Sequence, residues 1–238
     1  MDIGKDTAFT WLGHATFRIT TPGGKHLLLD PWVDSNPACP EEAKKIDSLD
    51  LILITHGHGD HMADAVPIAK RTGAKTLAIF ELATYLEGKG VQNTIGMNKG
   101  GTTEALDGIK VTMVGASHSC GIVEDGKVIY GGEAVGFVIE LENGFRIYDA
   151  GDTCVFGDMK IIGELYKPEL AMLPIGDFYT MSPRETAYAC RLLGVKMVIP
   201  MHYATFPVLT GTPQALRQET ADIPGLRIIE MKPGQTVR

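Results

Sequence analysis

The sequence predicts an α/β protein that forms one domain over residues 1–238. Short apolar segments alternate with helical segments in the middle and in the last third of the chain. Of the 238 residues, 44% are hydrophobic and 21% are charged, which is ordinary for a globular domain with a sizeable core. We find no low-complexity segment, linker or short-period repeat.

Strands are predicted first. The segments AFTWLGHATFRITT and KHLLLDPW, separated by PGG, predict two antiparallel strands joined by a tight turn. The apolar run LDLILIT at 49–55 predicts a strand that is covered on both faces. A helix is predicted for MADAVPIAKRTG, ending at Gly73, although Pro67 leaves its start open. KTLAIF predicts the strand that follows.

The rest of the chain returns to strands and then alternates with helices. IKVTMVGASHS, AVGFVIELENG and FRIYDAGDT predict strands, with ENG as a hairpin turn. ELAMLPIG and VKMVIPMHY predict buried strands. Between them, Ser182, Pro183 and Glu185 have the spacing of a helix N-terminus with a capping box, and Gly194 predicts its end. Thr212 is the predicted N-cap of a short helix.

Composition restricts the partners and the compartment. A formal net charge of −7 argues against a protein that mainly coats nucleic acid, and favours a small-molecule substrate. No apolar run approaches the roughly 18 residues of a membrane span, and no signal peptide is visible, so we expect a soluble cytoplasmic protein without a membrane partner. The sequence leaves a homo-oligomer open. Reduced, partly buried thiols are expected at the four widely spaced cysteines Cys39, Cys120, Cys154 and Cys190.

The segment THGHGDHMADA concentrates residue types that bind metals. Directly after LDLILIT come four of them, His56, His58, Asp60 and His61. A loop in this place is half buried, and burying three imidazoles and a carboxylate without partners costs several kcal/mol, about 2–7 for each polar group. Divalent metal ions would satisfy all four. We expect Gly57 and Gly59 to let the backbone turn sharply enough for these side chains to converge.

The H-x-H-x-D-H motif resembles the signature of the metallo-β-lactamase superfamily. The resemblance implies a four-layered αβ/βα sandwich with a two-metal site at its edge. It also implies three further ligands at strand ends, which match His118, Asp152 and His202 in that order. The segments WLGHATF, LLLDPW, PIGDFYTM and IPMHY resemble a branch of small single-domain metal-dependent hydrolases that includes ascorbate-6-phosphate lactonase and a related hydrolase family.

The resemblance assigns the ligands to two ions. The first ion would be bound by His56, His58 and His118. The second would be bound by Asp60, His61 and His202. Asp152 would bridge the two. Because the set contains histidine and aspartate but no thiolate, we expect Zn or Mn, with Fe, Co and Ni left open.

Other residues near these segments receive weaker assignments. The resemblance places His14 near the site, where it would contact substrate or support a metal ligand, whereas His26 is expected to be structural or exposed. His14 and Tyr203 are the two candidates for the acid that protonates the leaving group. Asp30 is either a carboxylate that orients a metal-bound imidazole or a turn-forming residue before proline. Cys154 is expected to be a small buried side chain and not a ligand. Pocket and core roles both remain open for three aromatic residues, Tyr179, Tyr203 and Phe206.

The ligand set predicts a hydrolase. A hydroxide shared by two metal ions would attack an ester, lactone, thioester, amide or phosphodiester, with Asp60 orienting it and His14 as a candidate catalytic residue. A nuclease or cyclic-nucleotide phosphodiesterase is one alternative, and a non-catalytic metal-binding or sensor protein is another. Antibiotic hydrolysis is disfavoured because binuclear β-lactamases commonly have a cysteine where this chain has Asp152.

Overall fold

The computed structural model describes Ile3 and residues 5–238. In the first half of the chain, strands β1 to β6 are separated by three α-helices and one short 3₁₀ helix. The strands are β1 (Ala8–Gly13), β2 (Thr16–Thr20), β3 (His26–Leu29), β4 (Leu51–Leu53), β5 (Lys75–Ile79) and β6 (Thr94–Met97). The helices are the 3₁₀ turn Glu41–Ala43, α1 (Gly59–Met62), α2 (Ala65–Thr72) and α3 (Phe80–Gly88).

The second half adds strands β7 to β16 and helices α4 to α6. The strands are β7 (Thr102–Leu106), β8 (Ile109–Gly115), β9 (Gly121–Glu124), β10 (Lys127–Tyr130), β11 (Val135–Glu140), β12 (Arg146–Asp149), β13 (Leu170–Pro174), β14 (Met197–Met201), β15 (Arg227–Ile228) and β16 (Thr236–Val237). The helices are α4 (Met159–Tyr166), α5 (Pro183–Leu193) and α6 (Pro213–Glu219).

Most strands belong to two mixed sheets of similar design. The first sheet has the order β16-β1-β2-β3-β4-β5-β6, and the second has the order β15-β14-β13-β12-β11-β8-β7. Each sheet has one antiparallel half and one parallel half, with parallel pairing from β3 to β6 and from β12 to β15. The carboxyl ends of β4, β12 and β14 lead directly into the segments that carry His56, Asp152 and His202.

Two apolar clusters define the layers. One contains side chains from both sheets, such as Leu27 and Phe137, together with Ile68 of α2 and Leu82 of α3. The other joins the second sheet to α4, α5 and α6, as at Tyr148. The order of layers is therefore helix, sheet, sheet, helix, which confirms the predicted α/β sandwich. Within the described residues, no helix is long and apolar enough to cross a membrane.

The structure confirms the helix caps and helix ends that the sequence predicts. Ser182 accepts a hydrogen bond from the backbone N–H of Glu185, whose carboxylate accepts from the backbone of Ser182, so the predicted capping box is present. Thr212 caps α6 with its hydroxyl alone, which accepts a hydrogen bond from the backbone N–H of Ala215. Gly73 and Gly194 end α2 and α5 in the left-handed region, with φ of 69° and 66°. These confirmed features depend only on neighbouring residues.

Other expectations need correction. AFTWLGHATFRITT forms two strands, β1 and β2, because Gly13 and His14 both take positive φ and turn the chain back on itself. The two glycines of the histidine segment are not in the left-handed region. A Cβ on Gly57 would lie 2.7 Å from Ile122 Cγ1, so close packing against β9 requires this glycine. Gly59 has open space around it and simply begins α1.

Candidate metal centre

Loops from both sheets bring the predicted ligands together. The ligand atoms of His56, His58 and His118 all lie within 4.8 Å of one another. A second group meets the same limit and contains His14, Asp60, His61 and His202. The first group equals the set expected for one metal ion. The second contains the set expected for the other ion and adds His14.

Asp152 lies between the two groups. Its Oδ2 atom is 3.0 Å from His202 Nε2 and 3.3 Å from His61 Nε2. The same oxygen is 3.7 Å from His118 Nε2 and 3.9 Å from His56 Nε2. One buried carboxylate oxygen therefore faces imidazole nitrogens from both groups, as a bridging ligand must.

Asp30 orients two of these imidazoles. Its Oδ2 accepts hydrogen bonds from the Thr55 hydroxyl and from His61 Nδ1, both at 2.7 Å, and its Oδ1 accepts from the Thr55 N–H at 2.8 Å. Because the Thr55 hydroxyl donates to Asp30, it accepts from His56 Nδ1, 2.9 Å away. This network assigns the proton to Nδ1 of both His56 and His61. Their Nε2 lone pairs then face Asp152.

Several polar atoms at the centre have no hydrogen-bond partner. They are His61 Nε2, Asp152 Oδ1 and both ring nitrogens of His202, all buried. Lone pairs that face a carboxylate across 3.0–3.3 Å repel it unless a proton or a cation lies between them. Neutral imidazoles and carboxylates are common ligands of Zn and Mn. The arrangement thus fits divalent metal ions at the positions that the sequence predicts.

His14 contacts the second group through its side chain. Its Nε2 lies 3.1 Å from Asp60 Oδ2, and its Nδ1 lies 2.9 Å from the Thr205 hydroxyl. The tautomer that satisfies both contacts donates Nε2–H to Asp60 and accepts from Thr205. The His14 carbonyl accepts from His202 N–H at 3.0 Å, which fixes these two histidines side by side.

Burial and neighbouring charges set the protonation of the site. Burial lowers the pKa of His14 to about 4 and the pKa of His56 well below its usual value, so both are neutral near pH 7. Burial opposes charge on Asp60, but the hydrogen bond from His14 and the nearby His61 hold the pKa of Asp60 below its usual range. Although burial opposes charge on His61, Asp152 and Asp30 raise the pKa of His61 well above its usual value, so without metal a proton occupies its Nε2. This charge, together with His202, holds the pKa of Asp152 low despite burial.

A cavity of about 460 Å³ opens onto these ligands. The described residues that line it are His58, Asp60, His118, Ser119, Asp152, Tyr179, His202 and Phe206. Of the three aromatic residues left open by the sequence, Tyr179 and Phe206 belong to this wall. Tyr203 does not, because it stacks on Trp11 at 5.2 Å and its hydroxyl donates to the Met231 carbonyl.

The structure confirms the expectation for His26 and contradicts that for Cys154. His26 begins β3, half buried, with Nδ1 3.2 Å from the Thr20 hydroxyl, in agreement with a structural role. Cys154 is exposed, which contradicts the expected burial, because β12 ends at Asp149 and Cys154 lies in the loop that follows. The other cysteines are buried and free, and burial raises the pKa of Cys39 and Cys120 to about 11.

Three contacts of the site were not predicted. Thr55 links Asp30 to His56, Ser119 lies 3.2 Å from His58 Nε2, and Thr205 contacts His14. Thr55 and Ser119 are adjacent in sequence to His56 and His118, and this adjacency to predicted ligands could have indicated that they contact the site. Thr205 meets His14 across 191 positions of the chain, and nothing local in the sequence indicates that contact.

Comparison with known proteins agrees with this geometry. Residues 25–203 match the family model described as a beta-lactamase superfamily domain. The chain belongs to the metallo-β-lactamase superfamily. Members with similar sequences include a UPF0173 metal-dependent hydrolase of Rubrobacter xylanophilus, 54% identical over 96% of this chain and 95% of that protein. Another from Koribacter versatilis is 56% identical over 95% of this chain and 96% of that protein.

Solved structures with a similar fold are also found. Igni18, a metallo hydrolase from the archaeon Ignicoccus hospitalis, has a TM-score of 0.84 and 36% identity, with 97% of each chain covered. An isothiocyanate hydrolase from Delia radicum gut bacteria has a TM-score of 0.71 at 18% identity, covering 97% of this chain and 98% of that chain, and shows the fold alone. The expectation of a metal-dependent hydrolase is confirmed at this coarse level.

Proposed function

We propose that this protein is a binuclear metal-dependent hydrolase of small molecules that cleaves an ester, lactone, phosphodiester or related bond. The central position of Asp152 supports this most strongly. One oxygen of this carboxylate lies within 3.9 Å of imidazole nitrogens from both ligand groups. A site for one ion needs no carboxylate between two groups of histidines.

The proposed ligands follow from the two groups. His56, His58 and His118 hold one ion, Asp60, His61 and His202 hold the other, and Asp152 contacts both. Zn and Mn are the proposed metals, since both accept imidazole and carboxylate ligands. When bound, such a pair lowers the pKa of a shared water toward roughly 7 and polarises the oxygen of the bond to be broken.

Residues of the chain orient the reaction. The side chain of Asp60 is 29% exposed toward the cavity, so a water molecule can donate a hydrogen bond to it. Its low pKa makes it a weak base, and we therefore assign it to orienting the water as well as binding metal. His14 donates to Asp60 and fixes that orientation. His58, His118 and Ser119 line the same cavity.

The test begins with complete removal of metal by a chelator. Zn or Mn is then restored separately, and hydrolysis of phosphodiester, lactone, thioester and amide substrates is measured. Activity that disappears on chelation and returns with metal, and that His118→Ala reduces, is the expected result. Cys154→Ser is the matched control, because Cys154 is exposed and lies two residues from Asp152 without joining either ligand group. Activity that survives chelation would contradict the proposal.

A further inference from the structure

The part of the cavity wall that does not bind metal is mainly aromatic. Five of the lining residues belong to the proposed ligands, and the others are Ser119, Tyr179 and Phe206. The Ser119 hydroxyl already contacts His58. The surface left to contact the rest of a substrate is therefore formed by two aromatic rings.

Charge is distributed unevenly around this cavity. Among the described residues that line it, none is lysine or arginine, while Asp60 and Asp152 are both present. Asp177, exposed and two residues before Tyr179, adds another carboxylate to the same loop. Metal ions would balance the charge of Asp60 and Asp152 at the ligands themselves. A negative group farther out on a substrate would find no counter-charge in the aromatic wall.

The loop holds Tyr179 in a fixed position. Asp177 and Phe178 both take left-handed backbone conformations, with φ of 66° and 54°, which cost conformational free energy for residues other than glycine. Their turn is held because Asp177 N–H donates to the Met181 carbonyl at 3.0 Å, and Phe178 N–H donates to Asp177 Oδ1 at 2.8 Å. Phe178 also packs edge-on against Tyr179, with ring centroids 4.7 Å apart. Such strain is often kept where it positions a functional side chain.

Contacts with two other rings hold Phe206. Its ring stacks on Trp32 with centroids 5.9 Å apart, and it meets His14 edge-on at 5.5 Å. Trp32 is itself fixed by donating its indole N–H to the Ser35 hydroxyl at 2.7 Å. Two aromatic residues from separate loops thus face one cavity beside the proposed ligands.

We propose that Tyr179 and Phe206 form a subsite for an uncharged, apolar group of the substrate, next to the bond that is cleaved. The proposal rests on the proposed function and narrows its substrate class to compounds that carry an uncharged, apolar group beside the cleaved bond. Nucleotides and phosphorylated sugars fit poorly, because their distal phosphate would face this wall without a cation. The cavity volume, about 460 Å³, lies within the roughly 300–1,000 Å³ of small-molecule sites.

Substrates that differ only in the charge of their far end test this directly. The metal-loaded protein is assayed with 4-nitrophenyl hexanoate, whose tail is neutral, and with the mono-4-nitrophenyl ester of adipic acid, whose tail is anionic. We expect kcat/KM to be at least about tenfold higher for the neutral ester, since a single methylene in an apolar pocket is worth about 10–200-fold and an unpaired carboxylate costs more to bury. Equal or faster hydrolysis of the anionic ester would overturn the proposal.

Binding supplies a readout that does not depend on turnover. Hexanohydroxamic acid and the monohydroxamate of adipic acid share a metal-binding head and differ in the tail charge, so calorimetry compares their Kd values on the metal-loaded protein. Tighter binding of the neutral compound by about tenfold is expected. If no ester, lactone, thioester, amide or phosphodiester is hydrolysed, the proposed function fails, and the hydroxamate comparison still decides whether the subsite prefers neutral groups.

A charged side chain placed at Tyr179 tests whether this residue causes the preference for a neutral tail. Tyr179 is 54% exposed on its loop, so Tyr179→Lys should fold and should shift the preference toward the anionic ester and hydroxamate by about tenfold. Tyr188→Lys is the matched control, because Tyr188 is 57% exposed on α5 and does not line the cavity. A Tyr179→Lys variant with unchanged preference, or a control with the same shift, would refute the assignment.

Discussion

Replacing Asp30 by asparagine should weaken metal binding by both ligand groups at once. Asp30 accepts from His61 Nδ1 directly, and from His56 Nδ1 through the Thr55 hydroxyl. An asparagine whose amide oxygen accepts the Thr55 N–H must place its NH₂ group toward the Thr55 hydroxyl and His61. Both imidazoles would then be pushed toward the tautomer that carries its proton on Nε2, where the metal must bind.

The expected size follows from the role of such partners. Loss of a group that orients a ligating histidine typically costs about 10–100-fold in metal affinity, which is about 1.4–2.8 kcal/mol for each site. Titration calorimetry with Zn or Mn measures both sites on the chelated protein. Asp64→Asn is the matched control, because Asp64 is also buried but its carboxylate accepts from the backbone N–H groups of Val33 and Asp34 and not from an imidazole.

A second variant separates the contact of Asp30 with His61 from its contact with His56 through Thr55. Thr55→Val removes the hydroxyl that lies between Asp30 and His56, while the contact between Asp30 and His61 remains. It should therefore weaken the group with His56 and leave the other group near its original affinity. Thermal unfolding of the metal-free variants checks that each one folds. Wild-type affinity of Asp30→Asn for two ions would refute the reasoning.

Further predictions concern single residues. In calorimetry, Asp152→Ala should bind one ion tightly and the other weakly, and two tight sites in this variant would exclude a bridge. His202→Ala should weaken only one site and should recover some activity in excess metal. His14→Ala should lower kcat with metal content unchanged by elemental analysis, because its Nε2–H orients Asp60; normal turnover would make it structural. Ser182→Ala should lower the free energy of unfolding by about 1 kcal/mol in urea, since the capping box of α5 is lost, and no change would show that the cap contributes nothing.

Sequence and structure agree where the determining forces are local. The helix caps at Ser182 and Thr212 and the ends at Gly73 and Gly194 depend on neighbouring residues, and all four were predicted correctly. The buried strand β4 was also predicted, because its apolar run reflects cover on both faces. The residue types of the motif beginning at His56 indicated four candidate metal ligands, and the structure places their side chains in the two groups described above.

The structure adds what depends on distant contacts. The sequence did not predict helices α3 and α4 or the hairpin of β9 and β10. In that hairpin the apolar residues Val123 and Val128 are exposed, so apolar residues do not mark its buried face. The contact between His14 and Asp60 spans 46 positions of the chain, and only folding brings them together. Cys154 was misjudged because burial depends on where the chain leaves the sheet, which no local pattern records.

Anomalous diffraction from crystals of the metal-loaded protein tests the central claim most directly. Data collected on either side of the metal absorption edge locate each ion independently of any assumption about ligands. The account predicts two peaks, one among His56, His58 and His118 and the other among Asp60, His61 and His202, with Asp152 in contact with both. A single peak, or two peaks of which only one contacts Asp152, would contradict it.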